Sequence, residues 1–199
     1  MLNNLKENEI EVATKLINGG LAMAKSSMEQ ILQSPITLEK VSFGAEANDL
    51  SKIGGKESHN VNLIKTELKG ELKGSCYLVF SESDVDKINK ACLPADILEN
   101  DSPESKMMMM GFLTEIDNMV AAAVITEFAN FLGVELFGNV PSLHVMAHDK
   151  VNDYLTNETT SYDSVIHFKA IFHGAELDIS PDFIWIINEK FVDKIKEVL

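Results

Sequence analysis

The stretch FLTEIDNMVAAAVITEF, residues 112–128, sets a carboxylate, Glu115, and a carboxamide, Asn118, three residues apart in an apolar run. Burying either group without a partner costs free energy, so each must be paired, exposed or used. At about 100° per residue from Glu115, the residues Phe112, Leu113, Ile116, Met119, Val120, Ala123, Val124 and Phe131 fill an arc from about 40° to 180°, the expected buried side. Asn118 falls near about 300°, with Gly111, Ala122 and Thr126 close by, so Glu115 and Asn118 share a strip of small residues. Asp117, near about 200°, lies off that strip. A carboxamide both accepts and donates hydrogen bonds without carrying charge, and a strip that holds it beside a carboxylate with little bulk around them is easy for another protein to approach. A carboxylate one turn away can pair with a partner's cation. The same spacing is also common on solvated helix faces, so it does not by itself assign a function.

Other constellations carry less. His144 and His148 have a metal-like spacing, but they follow Pro141 in a strand-like run, where that spacing does not bring two rings together. Gly-Gly-Lys-x-Ser at 54–58 has Leu50 where a phosphate loop needs its first Gly. Ser26 and Ser27 lack a His/Asp arrangement for nucleophilic hydrolysis. The four Met at 107–110 read as packing at a helix start. No metal ligand set and no cofactor site is expected.

The totals exclude further classes. The net charge is −14, all 17 cationic side chains are Lys, and Arg is absent. Without guanidinium forks there is no bidentate phosphate clamp or guanine reader, and nucleic acid is a poor partner for so acidic a chain. An acidic surface instead suits a metal-laden or Lys-bearing protein partner. The N-terminal residues lack the pattern of a signal peptide, and no run reaches the ~18 uninterrupted apolar residues of a membrane span. Cys76 and Cys92 are expected to stay thiols, and the cytoplasm is the expected compartment, without membrane insertion.

The elements that must position the pair repeat. Residues 5–33 read as a helix ended by Pro35, followed by strands in ITLEKVSFG, VNLIKTELKG and LKGSCYLVF and a short helix in SESDVDKINKACL; about 47–59 reads as an exposed loop. The order then restarts: a long helix over 106–132 stopped at Gly133, a strand after Pro141, strands in SVIHFKAIFHG and LDISPDFIWII, and a closing helix. VDKI at 85–88 recurs at 192–195, and Pro35 and Pro141 each follow a long helix. The expectation is one α+β domain over 1–199, built from half-repeats at about 5–93 and 105–199. Each half is a helix–three-strand–helix unit, the halves are related by a pseudo-twofold, and the two long helices pack on a shared antiparallel sheet.

The run E-I-D-N-M-V, followed by small residues, a Leu-Gly helix end and Pro141, resembles the CheC/CheX/FliY family of chemotaxis phosphatases. The family's mark is Glu-x-x-Asn on a long helix with a Pro some two dozen residues on; the matching positions here are Glu115, Asn118 and Pro141. LINGGLAMA in the first half is similar to the family's Asn-Ile-Gly-x-Gly-x-Ala run. Lys15 stands there where an intact site has Glu, so Lys15 and Asn18 mark a degenerate second site. Position 111 is Gly where the family often has Asp or Ser.

The resemblance implies a CheC-like fold and a phosphatase acting on the phospho-aspartate of a CheY-type response-regulator receiver. In that reading Asn118 positions water, Glu115 pairs with a receiver Lys, and Mg²⁺ is carried by the receiver. A CheD-like regulator is a further candidate partner, and an exposed sheet edge would let two chains form a homodimer. The competing reading is a non-catalytic adaptor or flagellar-switch-related module of the same fold.

Overall fold

The computed structural model describes residues 6–44, 59–162 and 165–199; the expected loop and the Gly-Gly-Lys stretch within it lie outside them, apart from His59. In chain order the elements are α1 (Glu7–Leu32), β1 (Thr37–Gly44), β2 (Asn60–Gly70), β3 (Gly74–Ser81), α2 (Glu82–Cys92), α3 (Ala95–Leu98), α4 (Pro103–Leu132), β4 (Leu136–Gly138), β5 (Ser142–Ala147), α5 (Val151–Thr159), β6 (Val165–His173), β7 (Asp182–Asn188) and α6 (Lys190–Glu197).

Local chemistry sets the helix ends. Glu9 accepts the Lys6 N–H at 2.8 Å in the first turn of α1. α4 starts before the expected position because Ser102 caps it, accepting from the Ser105 N–H at 3.2 Å, and Pro103 takes the first helical position, where its missing N–H costs nothing. Gly133 ends α4 in the left-handed conformation, with φ of 64°. α1 runs through Gly19 and Gly20, and the second of them is needed for packing: a Cβ on Gly20 would lie 2.9 Å from both Phe128 and Val124 of α4. The two long helices therefore touch through bare backbone.

The strands form one antiparallel sheet in the order β1-β6-β7-β3-β2, with β4 and β5 both lying along the outer edge of β2. At its centre Tyr77 pairs with Ile184, Cys76 with Trp185 and Leu78 with Phe183. Tyr77 and Ile184 are as far apart in the chain as the two VDKI segments, so the pseudo-twofold axis passes between them. Away from that axis the halves exchange strands: β1 pairs with β6 of the second half, and β5 pairs with β2 of the first. The expected fold is thus present, as a pair of interlocked halves.

One face of the sheet carries Ile64, Leu68, Leu78, Phe80, Phe168, Trp185 and Ile187 into a core shared with α1, α4 and α6. Trp185 stacks on Phe168 with ring centroids 5.5 Å apart. The other face carries Val61, Leu63, Tyr77, Val79, Ile184 and Ile186, which pack with Val151 and Leu155 of α5. That helix is not foreshadowed in the sequence, since VNDYLTNET is rich in residues of low helix propensity. It is held by tertiary contacts: Glu158 accepts from Lys65 at 2.6 Å and from the Tyr77 hydroxyl at 3.1 Å.

By length and composition alone α4 would pass for a membrane span. Here it packs against α1 and one face of the sheet and leaves its other side exposed. Part of its apolar character comes from exposed methionines rather than from the core. Met107, Met108 and Met110 are 73%, 54% and 50% exposed, which corrects the expectation that the methionine run packs at the helix start.

Candidate functional site

Glu115 and Asn118 both lie on the exposed side of α4, and neither makes a hydrogen bond or ion pair among the described residues. Leu113, Ile116, Val120 and Val124 face the core as the wheel predicts, whereas Met119 is 41% exposed. The buried face is rotated toward Asp117, Ala121 and Ile125, because β2 and β4 cover that side of the helix. Asn118 stands at the edge of this covered side.

Two adjoining clefts open there. One, of about 270 Å³, is lined by Thr114, Glu115, Asn118, Gly138, Asn139, Val140 and Pro141. The other, of about 220 Å³, runs from Asn118 past Ala121, Ala122 and Thr126 to Thr66 and Leu136–Asn139. Asn118 borders both. The opposite wall is built by the chain between α4 and β5. The 11-residue β2 is long enough to pair with β5 along Asn60–Lys65 and with β4 along Leu68–Gly70. Thr66 and Glu67 fall between those two ladders, and the Glu67 carbonyl accepts the Asn139 N–H at 2.8 Å. A Cβ on Gly138 would come within 2.9 Å of Thr66 Cγ2 and 3.1 Å of Ile125 Cδ1, so this wall sits close over β2 and α4. The Glu115–Asn118–Pro141 spacing therefore has a spatial meaning: the proline closes the far side of the cleft that the other two residues line.

Gly111 lies one turn before Glu115, and a Cβ placed there would meet nothing within 4 Å. The helix is bare at that point. Met107 and Met108 lie N-terminal to it, Met119 lies beyond Glu115, and Val140, on the facing wall, is 87% exposed. A polar pair is thus rimmed by exposed apolar side chains.

Asp117 escaped the sequence reading. It lies off the strip, as the wheel indicates, but inside the protein: it is fully buried, and its Oδ2 accepts the Thr66 hydroxyl at 2.6 Å while Oδ1 has no hydrogen-bond partner. Burial pushes its carboxyl up to about 7, against the opposing effect of the Thr66 hydrogen bond. The wholly buried Cys76 thiol is pushed up well above its ordinary range, chiefly by burial and further by the Asp117 charge.

In the first half, Lys15 and Asn18 are exposed on α1. Only Gln33 and Ser34 separate α1 from Pro35, whereas Gly133–Val140, including β4, separate α4 from Pro141. Ser34 is buried, 3.5 Å from Glu176 Oε2. The first half thus has no inserted strand to build a facing wall. Of the two histidines, His144 lies against Tyr154, with ring centroids 5.6 Å apart, and contacts Ser142. Among the described residues no group of three or more His, Cys, Asp or Glu is placed to hold a metal ion.

No protein-family model and no curated protein matches the sequence. Solved structures do match in three dimensions. FliY from Thermotoga maritima is 19% identical, with a TM-score of 0.66 over 98% of this chain and 97% of that one. A CheX–CheY complex with BeF3 and Mg²⁺ from Borrelia burgdorferi gives 16% identity and a TM-score of 0.58 over 87% and 97%. The FliM–SpeE complex from H. pylori gives 11% identity and a TM-score of 0.61 over 98% and 97%. The architecture is that of the CheC/CheX/FliY chemotaxis proteins, shared with FliM. The family that the Glu115, Asn118 and Pro141 pattern resembles is the one whose fold this chain adopts.

Proposed function

We propose that the chain is a cytoplasmic phosphatase of a phosphorylated CheY-type receiver. The observation that carries the reading is that Glu115 and Asn118, one turn apart on α4, face solvent without internal partners and line one cleft with Pro141. A helix that presents an unpaired amide and acid at a cleft is arranged for something that comes from outside. The solved CheX–CheY complex supports the choice of partner, since it joins a protein of this fold to a receiver.

In this mechanism the acyl phosphate and its Mg²⁺ belong to the receiver. The Asn118 carboxamide holds a water in line with phosphorus. The water oxygen bonds to phosphorus as the bond from phosphorus to the aspartyl oxygen breaks, releasing phosphate and a free carboxylate. Glu115 pairs with a receiver Lys and fixes the register of docking. The bare turn at Gly111 and the rim of Met108, Met119 and Val140 let the receiver approach closely.

Phosphate release from the phosphorylated receiver, with and without this protein, tests the reading. Asn118→Ala should leave the fold intact and lower the stimulated rate by on the order of 10²-fold, the usual cost of removing one preorganised amide. An unchanged rate removes the phosphatase reading. The second reading, a non-catalytic adaptor or switch-related module, draws on the likeness to FliM. Receiver binding without faster phosphate release favours it.

A further inference from the structure

A helix face packed against a sheet and a second helix has no local need for a carboxyl group. The equivalent position in the first half shows this: Ile17, one residue before Asn18 on α1, is buried in the same core. The second half instead carries Asp117 one residue before Asn118, fully buried, with one oxygen on Thr66 and the other without a partner. An apolar residue would fill this place without the unpartnered oxygen, which weakens a fold rather than strengthening it. Thr66 is not an arbitrary partner. It lies in the gap between the β4 and β5 ladders, lines the cleft beside Asn118, and is the side chain against which Gly138 packs. The Asp117–Thr66 hydrogen bond is therefore a cross-link between the turn of α4 that bears Asn118 and the β2 strand that carries the opposite wall. The groups identified around the carboxyl are the Thr66 hydroxyl from β2 and the Cys76 thiol from β3, which stays neutral.

We propose that Asp117 is a positioning residue: through Thr66 it fixes the Asn118 turn relative to the Gly138–Pro141 wall, and so sets where the Asn118 carboxamide holds its water. The proposal rests on the phosphatase reading for its catalytic consequence, but the mechanical link can be measured without turnover.

The test uses the full chain and three measurements. In the double variant Asp117→Ile/Thr66→Val both polar partners become apolar, so the fold should be kept, with a melting temperature at or above that of the wild type. Its kcat on phosphorylated receiver should nevertheless fall by on the order of 10- to 10²-fold, because a small misplacement of a water-holding group is costly. KM should stay within about twofold, since the exposed docking surface is untouched. Asp117→Asn keeps an oxygen for the Thr66 hydroxyl and should restore most of kcat. A folded double variant that turns over at the wild-type kcat overturns the proposal, as does an Asp117→Asn variant no better than the double variant.

The third measurement is independent of activity and covers a double variant that fails to fold. The side-chain amide resonances of Asn118 in a ¹H–¹⁵N spectrum should titrate near neutral pH in the wild type and lose that titration in Asp117→Asn; no titration in the wild type overturns the link. If the wild type does not accelerate phosphate release at all, the phosphatase reading fails by itself. The Asn118 titration then still decides whether Asp117 governs the position of that side chain.

Discussion

Asp117 is a wholly buried acid in the turn of α4 that bears Asn118. Its folded carboxyl lies near pH 7, well above that of a carboxylate in the unfolded chain. Between about pH 4 and 7 the folded protein holds a proton that the unfolded chain has released, so Asp117 makes stability fall as pH rises through that window and level off above it. Other carboxylates titrate too, so the informative quantity is the melting temperature of wild type minus that of Asp117→Asn between about pH 4 and 8. It should decline with pH, and parallel curves would contradict the buried acid. This residue was not assigned from the sequence for a physical reason: near about 200° it falls just past the apolar arc and away from the polar strip, so spacing marks it neither as core nor as site. Helical spacing places Glu115 and Asn118 on one strip of small residues, but only the family resemblance marks that strip as a candidate site. Pro141 was legible only through the family resemblance, since nothing in its spacing reveals that it closes a cleft.

Among the elements, α4 carries both the polar pair and an unexpected apolar surface. Methionine is flexible and polarisable, so Met108 and Met119 flanking Glu115 suit a contact that must adapt to a partner. Replacing both by Ser should leave the melting temperature within a degree or two, since neither is a core residue, and should raise KM for the phosphorylated receiver by about 5- to 20-fold with kcat kept. A drop in kcat at constant KM would place these side chains in the chemistry rather than in docking. The run Met107–Met110 misled because apolar letters at a helix start ordinarily pack. β4 and α5 were missed for different reasons. Leu136–Gly138 is too short to show alternation, and it exists because β2 overruns β5 and leaves an edge to pair. α5 has weak propensity and is held by Glu158 and two buried aliphatic side chains.

At the scale of the whole molecule, the repeat was legible from VDKI and the matched prolines, but the exchange of β1 and β5 between halves was not. Strand pairing across halves leaves no mark in the letters. It has a clear thermodynamic consequence: neither half can complete its own sheet. Residues 1–100 and 101–199 made as separate polypeptides should each lack stable structure and should fold on mixing. In the intact chain, urea unfolding followed by far-ultraviolet circular dichroism and by Trp185 fluorescence should give coincident transitions, because Trp185 sits in the common core beside the pseudo-twofold axis. Two separated transitions would show that the halves are independent.

The pairing of Thr37 with His173 spans 136 residues. At a ribosomal speed of ~5–20 residues per second, β1 waits roughly 7–27 s after its own synthesis before its neighbour exists. Throughout that interval its backbone N–H and C=O groups are open to any extended stretch nearby, including the same strand of the next polypeptide on a polysome. A translation pause or an early stop codon anywhere before β6 would lengthen that exposure. Yield in the cell should therefore depend more on elongation rate and on chaperones that shield nascent strands than on the stability of the finished protein.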